Sequence, residues 1–213
     1  MVEEYQKIET IYNRSTEGSK KLIVGDFRNP VVEYLKDNQW DWVEKVDGTN
    51  IRVCWDGHNI TFRGRTDKAI IPPDLLNTLQ DMFLTDEMEE MFEQIFGEKE
   101  VIIFGEGYGN KIQKVGKDYL PDSTSFIAFD ILIGGYYLSL DNMFDVCGAL
   151  GINAIPVVGT GTLQEAIDFV KTKPKSLFGN CTIEGVVARP TARIYDRGKR
   201  VIVKIKVKDH CED

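Results

Sequence analysis

Glu44-Lys45-Val46-Asp47-Gly48-Thr49-Asn50 is the stretch from which the rest of the chain can be read. A lysine closes an apolar segment, Asp-Gly supplies a turn, and a strand-like run from Thr49 to Trp55 follows. Such a lysine is held at a turn instead of moving freely on a helix surface. If a nucleotide pocket surrounds it, its amine can attack a phosphorus or carbonyl centre. If none does, it is an ordinary exposed lysine, and K-x-D-G is too short a pattern to decide between the two. Immediately downstream, Asp56-Gly57 separates Thr49–Trp55 from Asn59–Phe62, which is a hairpin signature.

Outward from this hairpin, strand signals outnumber helical ones. Glu100 to Phe104, Ser125 to Ile133, Ile183 to Ala188 and Arg200 to Lys208 all read as strands. In the last, Val201, Val203, Ile205 and Val207 alternate with Lys204, Lys206 and Lys208, so one face is core and the other carries a row of ammonium groups. Met88, Met91, Phe92, Ile95 and Phe96 recur at helical spacing, with Gly97 just past the end. Leu163, Ala166, Ile167 and Val170 mark a second helix, capped by Thr162 with Glu165 three residues on. Asp141 to Leu150 reads as a third, stopped by Gly151. Hairpins mixed with separate helices predict an α+β fold of largely antiparallel sheets flanked by helices. With no internal repeat and no long linker, a single domain over residues 1–213 is expected.

The 213 residues are 42% hydrophobic and 28% charged, which excludes a disordered chain and allows a substantial core. The most apolar stretch, Phe126 to Leu140, is interrupted by Asp130 and Gly134-Gly135, so it is no membrane helix. The first twenty residues have no apolar signal core, and an intracellular, cytoplasmic location is expected. Four scattered cysteines and two histidines form no zinc-finger or catalytic-triad spacing. The net charge of −8 argues against nucleic acid, but the average hides an asymmetry. Asp81 to Glu100 holds eight acidic residues and one basic, whereas Arg189 to Lys208 holds eight basic and one acidic. A basic surface can therefore meet a polyanion while the chain stays acidic overall.

Several chemistry-bearing residues follow the lysine. Glu106 stands in Phe104-Gly105-Glu106-Gly107-Tyr108-Gly109, directly after a strand. Asp130 follows Phe129 inside an apolar strand, where an unpaired carboxylate is costly. Glu184-Gly185 opens another strand, and Lys204 and Lys206 share a strand face. The set fits a nucleophilic lysine, carboxylates for ribose or metal, an aromatic plate and two phosphate-neutralising lysines. The Gly105-x-Gly107-x-Gly109 spacing is not that of a dinucleotide loop, and no Walker-type phosphate loop is present.

In order and spacing these segments resemble the covalent nucleotidyltransferase superfamily of polynucleotide ligases and capping enzymes, and most of all the phage-type RNA ligase 2 family. Tyr5-Gln6-Lys7-Ile8-Glu9 is similar to that family's N-terminal segment. Glu44 to Asn50 matches motif I, Arg63-Gly64-Arg65 follows it, and Phe104-Gly105-Glu106 matches motif III. Phe126 to Asp130 resembles motif IIIa, Glu184 to Val187 motif IV, and Val203 to Lys206 motif V. The resemblance implies that Lys45 accepts AMP, with Glu44 and Val46 beside the adenine through their backbone and Asp47 and Gly48 completing the nucleotide-binding motif. It implies that Asn50 and Arg65 serve when AMP passes to a 5′-phosphate. Glu106 would hold the ribose, Phe129 would stack on adenine, Glu184 would organise the metal, and Lys204 and Lys206 would bind the triphosphate. Phe126 defaults to core. Asp47 stands where the nearest family usually has histidine, and Arg189 where lysine is common.

The expected activity is that of an ATP-dependent RNA ligase, or its catalytic domain, working through a lysyl-N-AMP intermediate with Mg²⁺ or Mn²⁺. Freeing an ordinary lysine amine at pH 7 costs about 4.6 kcal/mol, which nearby cations reduce. The matched motifs end just before the chain does, so an adenylyltransferase domain is expected without a C-terminal OB-fold or helical domain. That leaves open a stand-alone adenylylating domain, a piece of a longer chain, and a ligase whose partner protein supplies the further domain. RNA ends or a nicked duplex are the expected substrates. A minimal DNA ligase, an mRNA guanylyltransferase and a non-catalytic nucleotide- or RNA-binding module are the alternatives.

Overall fold

Why the chain builds sheets is visible in the strand that follows Lys45 in sequence. From Ile51 to Trp55 every residue is buried, the pattern of a central strand covered on both faces. The computed structural model describes residues 3–18 and 20–211. In chain order its strands are β1 Glu9–Thr10, β2 Tyr12–Arg14, β3 Leu22–Phe27, β4 Trp40–Lys45, β5 Thr49–Trp55, β6 Ile60–Gly64, β7 Val101–Gly109, β8 Thr124–Ile133, β9 Tyr136–Tyr137, β10 Val157–Gly161, β11 Gly185–Pro190, β12 Tyr195–Asp196, β13 Lys199–Arg200 and β14 Val203–Lys206. The helices are α1 Pro30–Tyr34, α2 Pro73–Phe83, α3 Asp86–Phe96, α4 Gly116–Tyr119, α5 Leu140–Ala149, α6 Leu163–Lys171 and α7 Val207–His210. The fold is α+β, as expected.

Contacts divide the chain into two compact units. The first comprises Met1–Tyr5 with Asp47–Ile155, the second Gln6–Val46 with Pro156–Asp213. The first unit has a sheet in the order β6-β5-β7-β8-β9, antiparallel throughout. Its core joins Ile51, Val53 and Ile103 of the sheet to Leu75, Leu79 and Phe83 of α2 and Phe92 of α3. Full burial of one such side chain is worth about 1.5–3 kcal/mol. The α3 helix starts at Thr85, whose hydroxyl accepts from the Met88 N–H at 3.2 Å, and ends where Gly97 takes a φ of 56°.

The second unit has a sheet in the order β1-β14-β11-β4-β10, with β1 parallel to β14 and the other pairs antiparallel. Leu163, Ala166, Ile167 and Val170 of α6 bury against Trp40, Val186 and Ile205. The capping box predicted for α6 is present: the Glu165 carboxylate accepts from the Thr162 N–H at 2.7 Å, and Thr162 Oγ1 accepts from the Glu165 N–H at 3.2 Å.

Three expectations change. Glu106 lies inside β7, not after it, because β7 runs through its glycines. A side chain at Gly105 would strike the Phe126 ring, and one at Gly107 would strike Leu75, so these positions are narrow places in a continuous strand. The segment Arg200 to Lys208 is not one strand. Val201 and Ile202 are both buried, which breaks the alternation, and the Val207 N–H turns to the Glu184 carbonyl at 2.9 Å as α7 begins. Lys204 and Lys206 still share the half-buried face of β14, whereas Lys208 sits on the helical turn. Ile95 is 39% exposed, so the α3 stripe narrows to Met88, Phe92 and Phe96.

Candidate active site

The second unit holds Lys45 at the end of β4, and the neighbouring strand decides what it meets. In the β11–β4 register Gly185 pairs with Lys45 and Val186 with Glu44, while on the other edge of β11 Gly185 pairs with Lys206. Glu184 therefore enters between two lysine-bearing strands. Lys45 Nζ lies 2.8 Å from Glu184 Oε2, and Lys206 Nζ donates to Glu184 Oε1. Gly185 permits the approach: a Cβ there would collide with the Ile205 carbonyl of β14. Burial opposes ionisation of Glu184, yet the ammonium groups of Lys45 and Lys206 outweigh it and hold the carboxyl below its usual 4.5.

Lys204 has no ion-pair partner among the described residues. Its own burial first, then the charges of Lys206 and Lys45, push its ammonium below the usual lysine value. A cavity of about 340 Å³ opens here, lined by Lys204, Lys206, Lys208, Lys7, Arg14 and Arg28 together with Glu9 and Thr10. Six cations against one carboxylate make it a place for a compact polyanion. Arg14 is fixed by Asp209 at 2.6 Å, and Glu9 holds Lys7 and Arg28 at 3.4 and 3.3 Å.

Glu44 is buried, and its side chain is engaged elsewhere. It accepts from the Ser176 hydroxyl at 2.6 Å and the Leu177 N–H at 2.9 Å. Burial pushes its carboxyl up, and these two donors offset part of that. The carboxylate next to the lysine thus anchors the 176–178 loop, and only its backbone is left for a ligand. Val46 is buried at 3% exposure.

The first unit carries the other half of the expected set. The β5 strand puts Asn50 opposite Glu106 of β7, while Ile51 pairs with Gly64 of β6 on the other side. Arg65, one residue beyond Gly64, is exposed at the same end of the sheet as Asn50 and Glu106. A Cβ at Gly48 would strike the Gly107 carbonyl and lie 2.8 Å from Glu106 Cγ, so only glycine lets the turn pass this close to Glu106. The Asp47 N–H donates to Tyr119 Oη at 3.2 Å, and Gln113 Nε2 donates to the Gly48 carbonyl at 3.0 Å. The Asn50 side-chain oxygen is buried and has no hydrogen-bond partner among the described residues.

Phe129 owes its setting to a β-bulge. Gly105 pairs with Ala128 and Phe104 with Asp130, which leaves Phe129 as the extra residue of β8. A bulge re-aims a side chain, and here it leaves Phe129 half-buried between Ala128 and Asp130, which are both buried. Asp130 is satisfied by Tyr5, whose hydroxyl donates to Oδ2 at 2.7 Å; the Tyr5 ring also meets Phe129 edge-on at 5.0 Å. Phe126 is fully buried against Phe83, so its default as a core residue is correct. Sequence reasoning missed Tyr5 as the partner of Asp130, Ser176 as the anchor of Glu44, and the cations Lys7, Arg14 and Arg28. Only the demand that Asp130 be paired was readable beforehand.

Among the described residues no group of three or more His, Cys, Asp or Glu side chains forms a metal cage. None of their helices is long and apolar enough to cross a membrane.

No curated protein matches the sequence. In structure the chain is similar to the RNA ligase of Naegleria gruberi. A substituted apo form gives a TM-score of 0.66 at 18% identity, covering 94% of this chain and 54% of that one. A form solved with ATP and Mn gives 0.65 at 18% identity, covering 96% and 61%. A form solved with AMP and Mn gives 0.63 at 18% identity, covering 83% and 52%. The chain thus spans somewhat more than half the length of those proteins, and the likeness shows the fold. The RNA ligase family model matches residues 39–206, from the start of the lysine strand to Lys206, and the chain belongs to the RNA ligase family.

Proposed function

We propose that the protein is an ATP-dependent RNA ligase, or its adenylyltransferase part, and that its two units work together as that one domain. The observation that carries the reading is Lys45 paired with Glu184, which is shared with Lys206, beside a cavity walled by cations. A pure binding module has no need of a half-buried lysine held by a carboxylate at a strand end.

In this reading Lys45 Nζ attacks the α-phosphorus of ATP. The N–P bond forms, the bond to the pyrophosphate oxygen breaks, and one proton leaves the amine. Lys204 and Lys206 offset the charge on the departing pyrophosphate. Glu106 holds the ribose and Phe129 stacks on the adenine. A 5′-phosphate oxygen of the nucleic acid then attacks the same phosphorus and frees Lys45, with Asn50 and Arg65 positioning that phosphate. Finally a 3′-hydroxyl attacks the activated 5′-phosphate and AMP leaves, giving a phosphodiester. A divalent cation, Mg²⁺ or Mn²⁺, neutralises phosphate charge when bound. One carboxylate plus substrate phosphates is the ordinary Mg²⁺ arrangement, and in this reading Glu184, between Lys45 and Lys206, would be the carboxylate that supplies it. The Naegleria gruberi structures with ATP or AMP and Mn support this choice of cofactors.

The test is incubation with α-labelled ATP and Mg²⁺, beside Lys45→Ala and beside labelled GTP. An acid-labile adenylate on the wild type alone, followed by transfer to 5′-phosphorylated RNA, is the expected result. Equal labelling of both proteins removes Lys45 from the chemistry, and labelling by GTP alone replaces the ligase with a guanylyltransferase. Nicked duplexes with ribose or deoxyribose at the 3′ end separate RNA from DNA sealing.

A further inference from the structure

Arg52 has no exposed surface, at 0%, although it carries a full charge in the centre of β5. A guanidinium in that position is tolerated only with partners. Its Nε donates to the Gly64 carbonyl at 2.8 Å and its Nη2 to Asp67 Oδ1 at 2.8 Å, while Nη1 reaches the Glu3 carbonyl at 3.3 Å. Gly64 and Asp67 bracket the turn that contains Arg65. Asp67 also meets Arg63 at 3.3 Å, and its carboxyl is held below the usual value chiefly by the Arg52 hydrogen bond. Arg65 itself is exposed and has no ion-pair partner among the described residues, so its place depends on the backbone beneath it.

We propose that Arg52 is a positioning residue, which clamps the Gly64–Asp67 turn so that Arg65 stands at the sheet end level with Asn50. The proposal rests on the ligase reading, in which Arg65 serves the transfer of AMP to a 5′-phosphate. If Arg52 served stability alone, an apolar side chain of similar volume would be the cheaper filling, since replacing buried ion pairs by packed hydrophobics is often neutral or better. What the rigid fork adds is geometry: it ties a carbonyl and a carboxylate three residues apart to one planar group. Lysine keeps the charge but has no fork.

The experiment measures two rates, adenylylation of Lys45 and single-turnover transfer of AMP to a 5′-phosphorylated RNA strand. It compares wild type, Arg52→Lys, Asp67→Asn, Arg65→Ala and the Arg52→Lys/Arg65→Ala double variant. The transfer-to-adenylylation ratio falls about tenfold in Arg52→Lys, and by a smaller factor in Asp67→Asn, where the acceptor loses its charge while the guanidinium donor keeps its own. The double variant is no worse than Arg65→Ala alone, because both changes act through one side chain. A ratio unchanged in both single variants, or penalties that multiply in the double variant, overturns the proposal. If Arg52→Lys does not fold, Asp67→Asn on the exposed side decides alone. A wild-type protein that takes no label defeats the ligase reading and this proposal with it; a labelled protein without the split in rates defeats only the proposal.

Discussion

Replacing Glu184 by Gln tests the lysine cluster without disturbing its shape. In the native protein one carboxylate faces Lys45 at 2.8 Å and Lys206 on its other oxygen, with the Lys45 and Glu184 side chains only 24% and 17% exposed. A hydrogen bond to a charged group contributes about 1.5–3 kcal/mol, and an amide retains part of that. The charge also screens Lys45, Lys204 and Lys206 from one another, so its loss adds repulsion. A net destabilisation of about 2 kcal/mol follows, or about 4–8 °C in melting temperature for a chain of this length. The pH dependence has a definite direction. The Glu184 carboxyl is held below its usual 4.5 in the folded protein, so its contribution is present above that value and disappears as pH falls through the lower folded value. Thermal unfolding at pH 7.5 and at pH 3 reads both effects. Glu184→Gln melts several degrees below wild type at the first pH and close to it at the second, and added pyrophosphate raises the variant more than the wild type. Equal melting temperatures at pH 7.5, or a gap that persists undiminished at pH 3, would refute the argument that the carboxylate's charge holds these lysines together.

Tyr5→Phe removes the hydroxyl that donates to buried Asp130 Oδ2 and lowers stability by about 1–3 kcal/mol, read by urea unfolding; a change below about 0.3 kcal/mol means that another group satisfies the carboxylate. Phe126→Ala costs about 3–5 kcal/mol of stability, whereas Phe129→Ala, at the half-buried bulge position, costs less and raises the ATP concentration needed for half-maximal adenylylation; the reverse assignment would show that the bulge does not expose Phe129 to ligand.

Much of the fold was legible where the local pattern and the tertiary setting agree. The β5 strand, the hairpin at Asp56-Gly57, the capping box of α6 and the Gly97 stop of α3 follow from residues within a few positions of each other. The α2 helix carries equally local signals, with Pro73 in its first turn and Leu75, Leu79 and Phe83 on one face. The continuation of β7 beyond Phe104 is not legible in the sequence, because glycines usually break strands. Here Gly105 and Gly107 are places where Phe126 and Leu75 need the space of a side chain.

The sequence by itself determined the order of the motifs and hence the kind of chemistry, since Lys45, Glu106, Glu184, Lys204 and Lys206 are recognised by type and spacing along the chain. Only the tertiary structure decided which groups face one another. That Lys45 and Lys206 share Glu184, that Glu44 turns away to Ser176, that a bulge releases Phe129 and that Arg52 lies buried beneath the Arg65 turn all depend on strand register. Register is set by how distant segments pack, and a shift of one residue would carry each of these side chains to the opposite face of its sheet.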